Sequence, residues 1–194
     1  MTSTVADSAL DMCSRAFVLI GADTITSFDD GSTEAVVATN MYEDIVRTAL
    51  CNTRWRFATN QATLNLLSDA PTGRYDRAYQ LPSGYLMLHA ITVNDYPIDY
   101  QVYGDKAYAN TTASDSLIAD YTFRVGEDKF PSYFTIAVEY SLAVAFSTSI
   151  ARDAAMAQQM MAMAQQSMAK ARSLDAQQQT TRKLSTSRFV TNRR

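Results

Sequence analysis

Arg54-Trp55-Arg56-Phe57-Ala58 is the stretch where one periodicity gives way to another. Before it, apolar residues recur every three or four positions, the spacing of an amphipathic helix. After it, Trp55 and Phe57, and then Ala62, Leu64 and Leu66, show two-residue alternation, so the chain is expected to turn to strand at this point. Interleaved arginine and aromatic residues can bind single-stranded nucleic acid by stacking and phosphate contact. At a helix-to-strand junction the structural reading is stronger: Trp55 and Phe57 anchor the strands to the helices, with Arg54 and Arg56 turned away or stacked on neighbouring tyrosines.

Working outward towards the N-terminus, Val5, Ala9, Met12, Ala16 and Leu19 mark a helix over 5–20, with Gly21 as its stop. A second helix is expected over 33–53, capped by Asp30, Ser32 or Thr33 and facing inward with Ala38, Met41, Ile45, Thr48 and Cys51. Towards the C-terminus, strands are expected at 86–93, 96–98, 101–103, 107–109 and 117–125. Turns fall at Pro71-Thr72-Gly73, Asn94-Asp95 and Gly104-Asp105. Short strands at this spacing imply a small antiparallel sheet or sandwich. The helical period returns at Pro131, which suits the first turn of a helix, and a kink is expected near Ser147-Thr148-Ser149. Residues 150–179 then form a long helix rich in Ala, Met and Gln. Ala154, Ala157, Met161, Ala164, Met168 and Ala171 make a stripe of small and flexible residues suited to packing between subunits, beside a second stripe of Met156, Met160, Met163 and Leu174.

The fold class that follows is α+β. Residues 1–54 and 129–179 form an antiparallel helical bundle, residues 55–128 an inserted β domain, and residues 180–194 an extended basic arm. The 194 residues are 47% hydrophobic, enough to bury a core. Apolar runs such as Ala16–Ile20 are far shorter than the roughly 20 residues of a membrane span, and residues 1–11 lack the basic and apolar regions of a signal peptide. Two cysteines, Cys13 and Cys51, make no disulfide framework, and one histidine makes no metal cluster. A soluble, intracellular protein without cofactor or metal is expected.

Catalytic patterns are as sparse. His89 lies in an apolar strand with no serine or cysteine motif around it, and phosphate-binding and zinc-protease motifs are missing from the sequence. Asp29-Asp30, Glu43-Asp44 and Glu127-Asp128 could supply the two carboxylates of a glycoside hydrolase, but adjacent acids are common in loops.

Charge is distributed unevenly. Residues 1–150 carry 9 Lys or Arg against 18 Asp or Glu, while residues 151–194 carry 8 against 2. Arg182, Lys183, Arg188, Arg193 and Arg194 share the C-terminal arm with the apolar Leu184, Phe189 and Val190. A solubilising tail needs no such apolar residues, so the arm reads as a docking segment for an anionic partner.

Four segments in order carry a family resemblance. They are Ala16 through Asp30 with its Leu-Ile-Gly turn; Tyr42 through Arg47 followed by Arg54-Trp55-Arg56-Phe57-Ala58; Tyr79-Gln80-Leu81-Pro82; and Phe130-Pro131-Ser132-Tyr133-Phe134 opening an Ala-rich helix. Together they cover most of residues 10–175, and the sequence resembles the tail tubular protein A, or head-to-tail adaptor, family of short-tailed (podovirus) bacteriophages. Ser83-Gly84 stands where the family pattern has an acid after Leu-Pro, a departure confined to one turn.

The resemblance implies a structural virion protein of the tail or neck, made in the host cytoplasm. Twelve copies would form a ring between the portal protein and a tail nozzle of the tail tubular protein B type. Double-stranded DNA would pass through the channel without specific binding, and any tail fibres would attach at the tyrosine-rich β turns. It implies no enzyme activity, no cofactor and no membrane. An acidic body suits such a conduit, since it repels phosphates. The arm is then the portal-docking element, and the protein alone is expected to be monomeric. Two other readings follow from the same residues: a nucleic-acid-binding or packaging-associated module using the basic tail, and a virion-associated cell-wall hydrolase using Glu34 or Glu127.

Overall fold

The structure, a computed structural model, describes residues 6–68 and 73–178. Its elements run in the order α1 (Ala9–Ile20), α2 (Thr33–Cys51), β1 (Thr59–Thr63), β2 (Asn65–Leu66), β3 (Arg77–Gln80), β4 (Tyr85–Val93), β5 (Tyr96–Pro97), β6 (Tyr100–Tyr103), β7 (Lys106–Ala109), β8 (Leu117–Phe123), α3 (Ser132–Phe146) and α4 (Ala154–Gln177). The architecture is α+β, helices flanking a β insertion in the chain.

Helix α1 starts at Ala9 rather than near Val5, which lies outside the described residues. Ser8 fixes the start: its hydroxyl accepts from the Asp11 N–H at 3.2 Å and donates to the Asp11 carboxylate at 2.6 Å. Gly21 ends the helix with φ 71°, a left-handed conformation that glycine adopts without strain. Leu19 is not on the core stripe as its spacing suggested. Phe17 and Ile20 take that side, Phe17 stacked on Phe146 of α3 with centroids 4.3 Å apart, and Leu19 is left 37% exposed.

Ser32 caps α2 by accepting from the Ala35 N–H at 3.1 Å. The buried face is Ala35, Ala38, Tyr42, Val46, Ala49 and Leu50, whereas Met41 and Thr48 are exposed and Ile45 and Cys51 half-buried. The inward face is therefore rotated by about one residue from the expected one. Tyr42 can occupy the interior because its hydroxyl donates to Glu127 at 3.0 Å, which removes the cost of burying a polar tip.

Helix α3 is the common partner of α1, α2 and α4. Its buried Phe134, Ala137, Val138, Leu142, Ala143 and Phe146 form the centre of one hydrophobic cluster. Pro131 precedes the helix as its cap, with ψ 144° and its carbonyl accepting from the N–H groups of Phe134 and Thr135. The segment Ser132–Ala151 is as long and apolar as a membrane span, with mean hydropathy 1.4, but half of it is buried inside the protein as this core helix.

The strands make two antiparallel sheets, ordered β1-β8-β4-β5 and β2-β3-β7-β6. The chain changes sheet at Leu64, whose N–H bonds the Leu117 carbonyl at 2.8 Å. Ile91, Leu117 and Ala119 of the first sheet meet Leu64, Tyr79, Leu81, Ala107 and Ala109 of the second in a separate cluster. Leu86 and Phe123 of the first sheet reach the helical cluster instead. Asn94 and Asp95, at φ 51° and 66°, form the two-residue hairpin turn that their sequence indicates. Strand β3 is an addition to the expected set, too short to show alternation, while β2 falls within the stretch expected to be strand up to Leu66.

The expected kink after α3 is a π-helical turn, Ser147–Ala151. The hydroxyls of Ser147, Thr148 and Ser149 all donate back to carbonyls of the preceding turn, Ser147 to Ala143 and the other two to Ala145. Such bonds loosen the regular ladder and favour a bulge. Arg152 then takes a left-handed φ of 51°, and Asp153 caps α4 through the N–H groups of Ala155 and Met156. The long helix thus begins at Ala154 and not at residue 150. A non-glycine residue in this conformation carries backbone strain. Arg152→Gly is expected to raise unfolding stability by about 0.5–1 kcal/mol, read as a higher urea midpoint at unchanged slope, with Arg152→Val lowering it.

Candidate assembly surface

No group of three or more His, Cys, Asp or Glu that could hold a metal occurs among the described residues. Several of the residues singled out for chemistry, His89, Cys13, Asp30, Glu43 and Glu127, are occupied in structural contacts or buried. His89 shares a 2.8 Å hydrogen bond with the Thr122 hydroxyl, and burial, then Arg54, hold its pKa below the usual imidazole value. Cys13 is fully buried, and burial pushes its thiol up to about 12. Asp30 receives the Ser32 N–H at 2.9 Å, and Glu43 and Glu127 both pair with Arg124.

Trp55 is fully buried and does not begin a strand. Its indole N–H donates to the Ala49 carbonyl at 2.8 Å, and a 3-10 turn, Arg56–Ala58, follows before β1. The Trp55 ring lies edge-on to Phe134 at 5.1 Å, and Phe57 lies against Phe134 at 4.9 Å and Phe130 at 6.1 Å. Phe57 is half-buried. Both aromatics therefore touch α3 and Phe57 also its entry loop, while Arg54 reaches the sheet by pairing with Asp120 at 2.8 Å.

Asp175, near the end of α4, completes the junction. Its Oδ2 accepts from the Arg56 N–H at 3.1 Å and its Oδ1 from the Tyr133 hydroxyl at 2.9 Å. The residue is 4% exposed, yet both oxygens are satisfied. A polar residue in the last turn of a helix gives no periodic signal, so its role was invisible in the sequence.

Arg124 forms a second tie. It pairs with Glu43 of α2 at 3.0 Å and with Glu127 at 2.5 Å, and Tyr42 donates to the same Glu127. Burial opposes ionisation of Glu43 and Glu127, but the hydrogen bonds and charge of Arg124 outweigh it and hold both carboxyls below their ordinary pKa. Their contribution is present above the ordinary carboxylate range and lost as pH falls through the lowered values.

Glu139 of α3 behaves oppositely. It is 8% exposed, and its Oε1 makes no hydrogen bond and lies 3.7 Å from the Arg15 guanidinium. Burial raises its pKa, with Arg15 only partly offsetting the effect.

The α4 stripe divides. Ala157, Met168 and Ala171 are buried against the rest of their own chain, Met168 and Ala171 in the helical cluster, and Ala164 is half-buried. Small residues there let α4 approach α3 within one molecule, which corrects their assignment to contacts between subunits. Ala154 and Met161 remain exposed, Met161 at 48%. Met163 and Leu174 join them on the outside. No charged residue occurs from Ala154 to Ala169, although most side chains there face solvent. An exposed helix usually carries charge; one that lacks it for four turns is suited to a partner. Arg182, Lys183, Leu184, Arg188, Phe189, Val190, Arg193 and Arg194 lie outside the described residues.

A family model described as tail tubular protein matches residues 10–184. The chain belongs to the tail tubular protein family. It is thereby a structural component of a bacteriophage tail, and the virion is its place. A search of curated proteins found no match.

Two outcomes test the buried acids of this family member. Asp175→Ala leaves the Arg56 N–H and Tyr133 hydroxyl without their acceptor and is expected to cost about 1–3 kcal/mol in chemical denaturation. For Glu139 the folded pKa lies above the unfolded one, so the native state binds more protons between the two and stability falls as pH rises through that window. Glu139→Gln is expected to raise stability at pH 7 and to flatten that fall, measured as urea midpoints between pH 4 and 7.

Proposed function

We propose that this tail tubular protein is the head-to-tail adaptor of a podovirus, a ring of twelve copies between portal and nozzle at the virion neck. The family match over residues 10–184 carries the reading. The uncharged outer side of α4, with Met161 and Met163 exposed, supports lateral packing of copies in a closed ring. Double-stranded DNA would traverse the lumen without specific contacts, repelled by the acidic body, and the protein would be made in the host cytoplasm. The basic arm, with Leu184, Phe189 and Val190 as apolar anchors, would bind the portal, and fibres would meet the β turns. Nothing in this role calls for catalysis.

Native mass spectrometry of the purified chain, alone and with its cognate portal ring, tests the proposal. A monomer alone and a fixed number of copies added to the portal are expected, with addition lost in a chain ending at Gln179. Failure to associate with the portal at any salt concentration would reject the adaptor role. Addition that survives truncation would reject portal docking by the arm.

A further inference from the structure

A cavity of about 320 Å³ opens between α2, α3 and α4. Its walls are Ile45, Thr48, Ala49, Asn52, Ser141 and Met168, and Asp44 stands at its rim. The lining is mostly apolar and large enough for an aromatic side chain. Asp44 is exposed and forms no ion pair with any described residue, although Glu43 beside it is paired twice. An apolar hole beside an uncompensated carboxylate selects a ligand with an apolar side chain next to a cation.

The chain itself carries that pattern. Residues 179–194 hold five basic residues and no acid, and Arg188-Phe189-Val190 places a guanidinium directly beside a phenyl ring. Length permits the contact. Met168 lies about 15 Å along the axis before the end of α4, and the stretch from 179 to Phe189 spans up to about 35 Å when extended. We propose that the cavity is the docking site for the chain's own C-terminal arm, with the Phe189 ring inserted between Ile45 and Met168 and Arg188 paired with Asp44. The occupant is the arm of the same molecule. The site does not depend on the adaptor role. If both hold, the arm reaches a portal only after leaving the cavity, so free and assembled protein differ in where the arm lies.

The test is photo-cross-linking of the full chain with Phe189 replaced by benzoylphenylalanine, at a concentration where the protein is monomeric, followed by peptide mapping. An intramolecular cross-link to 44–52, Ser141 or Met168 is expected. Asp44→Lys in the same chain, a surface change that leaves the fold intact, should lower its yield about threefold through loss of one exposed ion pair. Added salt should act in the same direction, and Asp95→Lys should have no effect. Cross-links only between two molecules, cross-links elsewhere on the same chain, or none at all would overturn the proposal. So would a yield indifferent to Asp44→Lys.

Discussion

Trp55 must bury an indole while satisfying its N–H, and the rest of the fold is arranged around that requirement. The Ala49 carbonyl, in the last turn of α2, is the acceptor, and it also takes the Asn52 N–H at 3.3 Å. Using it forces the chain to double back at once, which is why a 3-10 turn precedes β1. The turn carries Phe57 onto Phe134 and presents the Arg56 N–H to Asp175. One residue thereby fixes the end of α2, the approach of the first sheet, and the seat of α4 on α3. Breaking that seat would expose Met168 and Ala171 together with the junction aromatics, since all belong to one cluster.

Much of this order was legible in the sequence, because period and punctuation are local properties. Gly21, Ser32, Asn94-Asp95 and Pro131 mark boundaries by chemistry that acts within a few residues, and each marks one in the structure. The errors have a common cause. The face of α2 was misplaced because Tyr42 is buried only with the help of Glu127, a partner distant in sequence. Strand β3 was missed because its partners, β2 and β7, lie far apart in the chain. Ala157, Met168 and Ala171 of the α4 stripe face their own chain and not a neighbouring copy, since sequence shows that small residues face something, not what they face. Asp175 and Glu139 are buried acids whose positions in apolar helices carry no local signal of partnership.

Charge and burial together describe how a structural component can be stable and still have surfaces left for assembly. The helical cluster satisfies α3 on several sides, so α4 need not contribute its whole circumference. Its outer side is free of charge through Ala169, while Lys170 and Arg172 follow in the last turns. Glu43, Glu127 and Asp120, all half-buried, are paired with arginines, while the buried Glu139 lies 3.7 Å from Arg15 with one oxygen unsatisfied. A basic arm attached to such a body is drawn to carboxylates on its own chain as well as to a partner.

The central physical claim is that the Trp55 junction makes the helices and the two sheets one cooperative unit. Equilibrium urea unfolding tests it directly, since the chain has a single tryptophan and its tyrosines are concentrated in the strands. Trp55 emission, far-ultraviolet circular dichroism of the helices and near-ultraviolet dichroism of the tyrosines should give coincident transitions. A tyrosine transition well separated from that of Trp55 would contradict the claim and show that the sheets unfold independently of the helices.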